Sequence, residues 1–74
     1  MNQTNFNRLV AEISAKLLNL KDFGKSITNE LVEKIVDEAL NSLIQEINDF
    51  EVLETDRSRL KFKIRNMFNI NVED

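Results

Sequence analysis

Between Leu31 and Ile47 apolar residues recur at unbroken helical spacing: Leu31, Val32, Ile35, Val36, Ala39, Leu40, Leu43, Ile44 and Ile47. On a helical wheel they cover an arc of about 220°, wider than one neighbouring helix can cover. The spacing therefore predicts a central helix touched on two sides, either by both remaining segments of the chain or by a second copy of itself. Its start is equally well marked. Thr28 reads as the N-cap, Ile27 and Val32 stand at hydrophobic-staple positions, and Glu30 lies in the first turn, where the helix dipole favours an anion.

Two flanking segments complete the chain. Phe6, Leu9, Val10, Ile13, Leu17 and Leu20 fall within an arc of about 100°, the stripe of a helix with one buried face. A helix over residues 5–20 follows, capped by Thr4 or Asn5. Leu18 sits off the stripe. Gly24, the only glycine, suits the left-handed position after a helix end, and Phe23 beside it is expected to fold back on the core. Asn48 and Asp49 favour a turn and are expected to end the central helix, placing it at residues 28–48.

The third segment carries two patterns at once. Arg59-Leu60-Lys61-Phe62-Lys63-Ile64-Arg65 alternates cation and apolar residue, which suits a strand in a hairpin over residues 50–65. Leu60, Ile64, Met67 and Phe68 also make an i, i+4, i+7, i+8 stripe, which suits a helix over residues 56–69 capped by Asp56 or Thr55, with Phe62 left outside. The stripe continues past Arg65 and the alternation does not, so the all-α reading, a small three-helix unit, is preferred.

The helix, turn, helix order, the opening Met1-Asn2-x-Thr4 and the run Val10-Ala11-Glu12 resemble the N-terminal half of the bacterial HU/IHF histone-like family over about the first fifty residues. That family's glycine–phenylalanine-rich turn and proline-bearing DNA arm have no counterpart here, so no site residue is carried over. A hairpin at residues 50–65 would strengthen the resemblance.

Charge is segregated along the chain. Residues 29–56 carry Lys34 against nine acids, while residues 57–65 carry Arg57, Arg59, Lys61, Lys63 and Arg65 with no acid among them. Packing of the basic stretch beside the acidic helix is the simplest outcome. The alternative is that those five cations bind nucleic acid, against which stand the overall charge of −3 and the absence of Tyr and Trp for base stacking. A weaker possibility is that the acidic face meets a basic partner.

Composition removes most chemistry. The chain has no Cys and no His, which excludes disulfides, a thiol nucleophile and the usual zinc or copper ligands. Ser14, Ser26, Ser42 and Ser58 have no His to activate them, and one glycine cannot build a phosphate loop. Glu33 and Asp37 share a helix face but belong to its solvated side. No enzyme activity, metal, cofactor or small-molecule substrate is expected. Residues 1–74 form one small domain, and domains under about 80 residues often gain stability by association. The expectation is thus an adaptor, inhibitor or assembly factor in the cytoplasm, binding a protein partner or itself as a homodimer. Contacts are expected at Leu40, Leu43, Ile44 and Ile47 of the central helix and at Phe62.

Overall fold

A computed structural model describes residues 1–47 and 51–70. Among them the backbone forms three α-helices: α1 (Gln3–Asp22), α2 (Asn29–Glu46) and α3 (Glu54–Met67). The expected Asn48–Asp49 stop lies outside the described residues, but α2 already ends at Glu46, with Ile47 as C-cap.

The helix ends show which local signals prevail. Thr28 caps α2 as expected, its hydroxyl accepting from the Leu31 N–H at 3.1 Å. At α1 the cap is Asn2 instead of Thr4 or Asn5; its side-chain oxygen accepts from the Asn5 N–H at 2.8 Å, starting the helix earlier than the apolar stripe. Gly24 takes φ +85°, and the Lys25 N–H bonds back to the Leu20 carbonyl at 3.0 Å. That left-handed closure is the one expected. Phe23 is exposed, however, because α1 runs on to Asp22 and carries the phenylalanine round, away from the buried stripe.

The third segment is helical, so the hairpin at residues 50–65 does not form. The first helical residue is Glu54, and its N-cap Leu53 has no side-chain acceptor. Asp56, two residues inside, reaches back to accept the Leu53 N–H at 3.2 Å and stands 3.2 Å from the Met1 ammonium. It works as the returning half of a capping box and not as the cap itself. Leu60 and Ile64 are fully buried, Phe68 is half-buried, and Met67, expected on the same stripe, is largely exposed.

Most of the wide apolar arc of α2 is covered within one subunit, with Ile44 and Ile47 at its end left exposed. Val32, Ile35, Val36, Ala39, Leu40 and Leu43 are buried in a single core with Phe6, Leu9, Ile13 and Leu17 of α1 and Leu60 and Ile64 of α3. No second copy is needed to enclose them. Leu40 and Leu43, expected as partner contacts, are core residues: the 14-residue α3 covers the side of α2 that α1 leaves open. An ion pair and a hydrogen bond give the directions. Arg8 near the start of α1 reaches Glu46 at the end of α2, and Arg65 near the end of α3 reaches Asn29 at the start of α2. The bundle is up-down-up, with α1 and α3 parallel.

Candidate functional site

Three helices make three seams, and the side chains along them differ in kind. On the α2–α3 seam each step of four residues forward along α3 meets a step of four back along α2. Arg57 is ion-paired and hydrogen-bonded to Asp37. Lys61 stands 3.9 Å from Glu33, and Arg65 lies 3.6 Å from Glu33 while donating to the Asn29 side chain at 2.6 Å. The antiparallel arrangement makes this ladder possible, since 57, 61, 65 and 37, 33, 29 climb the same seam from opposite ends. The expected pairing of the basic stretch with the acidic helix is therefore realised for three of the five cations. Glu33 and Asp37, the carboxylate pair with i, i+4 spacing, are occupied by it.

The α1–α2 seam is bridged by Arg8, which donates to Glu46 at 2.9 Å and to Glu12 at 3.1 Å. Among the described residues the charged contacts of the α1–α3 seam lie at its start, above a shared apolar core. There Met1 meets Asp56, and the Arg59 guanidinium lies 4.8 Å from the centroid of the Phe6 ring, a cation–π contact. Burial pushes the Asp56 carboxyl up, but the Leu53 N–H and the Met1 ammonium outweigh it, and the carboxyl titrates below its ordinary range.

Beyond that start the α1–α3 seam opens. Val10 and Lys63 line one groove and Ser14 and Met67 the next, each pair four residues on from the one before, counting from Phe6 and Arg59, as parallel helices require. Two grooves lie in line along it. The first, of about 350 Å³, is lined by Gln3, Phe6, Asn7 and Val10 of α1 and by Arg59, Phe62 and Lys63 of α3. The second, of about 270 Å³, is lined by Ser14, Leu18 and Lys21 of α1 with Met67, Phe68 and Asn69. Ser14 is buried and turns its hydroxyl onto the Val10 carbonyl at 2.6 Å, so it is satisfied within its own helix. Three large apolar side chains stand out from this seam: Phe62 at 66 % exposure, Leu18 at 52 % and Met67 at 48 %.

The sequence-derived contact residues thus separate into three places. Leu40 and Leu43 are inside the core. Ile44 and Ile47 are 40 % and 36 % exposed at the end of α2 that leads into residues 48–50, which lie outside the described residues. Phe62 alone stands on the open seam. Of the five basic residues, Arg57, Lys61 and Arg65 belong to the ladder, and Arg59 and Lys63 face the seam. Leu18 and Met67 were not among the expected contacts. Among the described residues no three carboxylates come close enough to share a metal ion, and no helix is long and apolar enough to cross a membrane.

The chain matches no family model, no curated protein and no solved structure. With α3 in place of the hairpin, the resemblance to the histone-like proteins is not supported.

Proposed function

We propose that the protein is a non-catalytic helical binding module of the cytoplasm that engages another protein through the α1–α3 seam. One observation carries this reading. After every helix has packed, Leu18, Phe62 and Met67 remain outside on a single seam, flanking grooves large enough to accept side chains. Solitary exposed apolar residues are ordinary, but several gathered along one groove mark a contact surface. On α2 only Ile44 and Ile47 of the expected self-association contacts remain exposed, so on this reading Ile44→Glu is expected to leave the sedimentation coefficient of the subunit unchanged at micromolar concentration.

The nucleic-acid reading keeps less support. Arg57, Lys61 and Arg65 would have to leave carboxylates to reach phosphates, which leaves Arg59 and Lys63 as the cations free of the ladder. Site-directed photo-crosslinking separates the two. A photoreactive phenylalanine analogue at position 62, used in native cell extract, is expected to give discrete protein adducts that the same probe at exposed Glu38 does not. Nuclease-sensitive adducts at position 62, or identical adducts at both positions, would contradict the proposal.

A further inference from the structure

We infer that the α1–α3 seam accepts an amphipathic helix whose apolar stripe is flanked by Asp and Glu side chains, an inference that rests on the seam being the binding face. The first argument is charge. The ionisable residues lining the two grooves are Lys21, Arg59 and Lys63, all cations, in a molecule whose net charge is −3. Among the described residues, Asp56 is buried and faces Arg59 as well as Met1 and the Leu53 N–H, and Asp22 follows Lys21 at the end of α1. Among the described residues the groove lining is thus opposite in sign to the chain as a whole, which favours a locally acidic partner.

The second argument is shape. Gln3 and Lys21 mark the two ends of the lined path on α1, about 27 Å apart at 1.5 Å per residue, or about five helical turns. The path is straight because both walls are helices running in parallel, and an up-down-up bundle leaves the place of a fourth helix along its first and third members. An acidic helix would put its apolar residues over Val10, Leu18, Phe62 and Met67. Its carboxylates would then meet Arg59, Lys63 and Lys21.

Two chemistries compete for a basic, aromatic-bearing groove, and the observations favour the helix. The lining sets Phe6, Val10, Leu18, Phe62, Met67 and Phe68 among neutral polar side chains, and α3 contributes only Arg59 and Lys63 as cations. Arg59 is already engaged with the Phe6 ring. A phosphate backbone needs a longer run of cations than this.

The test uses the full chain, isotopically labelled, and two synthetic helical peptides of about twenty residues with one leucine stripe in common. One peptide flanks the stripe with Glu, the other with Lys. The Glu peptide is expected to shift the amide resonances of Asn7, Val10, Leu18, Lys63 and Met67 and to bind about tenfold more tightly than the Lys peptide at low salt, a preference that shrinks as salt rises. The variant Lys21→Glu with Lys63→Glu changes two exposed positions, keeps the fold, and is expected to reverse the preference. Equal affinity for both peptides, shifts away from the seam, or an unaltered preference in the double variant overturns the inference. If neither peptide binds while position 62 still crosslinks to a protein, the acidic-helix partner is wrong and the binding face stands. If both fail, the seam is not a binding face. Displacement of the Glu peptide by a short single-stranded oligonucleotide at lower concentration would give the groove to nucleic acid.

Discussion

The α2–α3 and α1–α3 seams are built from the same helix, yet one is sealed and the other is open. On the sealed side, Arg57, Lys61 and Arg65 step up α3 at intervals of four and find Asp37, Glu33 and Asn29 stepping down α2. On the open side, Arg59 and Lys63 step up the same helix at the same interval. They find Phe6 and Val10 on α1, which offer a ring face and an aliphatic surface but no carboxylate. Exposed pairs contribute only about 0–1 kcal/mol each, so the ladder chooses the neighbour of α3 more than it holds the fold together. Stability comes from the core beneath both seams. The lesson is that a helix can carry its specificity on one flank and its availability on the other.

The largest expected effect lies under the sealed seam. Leu40→Ala removes a fully buried side chain that the whole core packs around, and should cost about 2–5 kcal/mol in urea unfolding. A loss below about 1 kcal/mol would show that α2 is not enclosed and would reopen association through its face. Asp56→Ala comes next, at about 1–2 kcal/mol, because it strips the Leu53 N–H of its acceptor and breaks the contact with Met1. The folded Asp56 pKa is depressed. Its stabilisation is therefore present above the unfolded pKa of about 4 and disappears as pH falls through the lower folded value. Parallel unfolding series at falling pH should show the wild type converging on the variant in that acidic range; a gap that stays constant would contradict the assignment.

Smaller effects follow on the flanks. Glu33→Gln loosens two rungs of the ladder at once and should cost no more than about 1 kcal/mol, less in high salt. A double-mutant cycle with Lys61→Met reads the coupling directly; none at low salt would mean that the register is set by packing alone. Phe62→Ala, Leu18→Ala and Met67→Ala should each leave stability within about 0.5 kcal/mol of wild type. Combining Leu18→Ala with Met67→Ala should nonetheless weaken the protein adducts formed from position 62. Marked destabilisation by any of the three would make the seam part of the core.

Much of this architecture is legible in the chain, and what is not has a physical reason. The stripe from Phe6 to Leu20 and the Thr28 start are local patterns, and local hydrogen bonding and burial realise them. The alternation from Arg59 to Arg65 mimics a strand because two basic flanks, 57/61/65 and 59/63, interleave with the buried pair Leu60 and Ile64 on a helix whose apolar stripe is narrow. Only the neighbours on either side give those flanks different fates. The wide arc of α2 correctly demands two neighbours, yet periodicity cannot say whether α3 or another copy supplies the second. Leu40 and Leu43 look available from sequence for that reason. The seam was half visible: Leu18 and Phe62 each sit off their helix's stripe, but what brings them to one groove is the parallel offset between α1 and α3, a tertiary quantity. Met67 reads as core because it falls on the Leu60 stripe, yet as the last residue of α3 it lies at the groove with Ser14, Leu18 and Lys21 of α1 and stays 48 % exposed.

Solvent access at named side chains tests the contrast between the two seams most directly. In nuclear magnetic resonance of the labelled chain with a neutral, soluble relaxation agent, the side-chain signals of Leu18, Phe62 and Met67 should broaden strongly while those of Leu40, Leu43 and Leu60 stay sharp. Protection of Phe62 and Leu18 equal to that of Leu60, or broadening of Leu40 and Leu43, would contradict it.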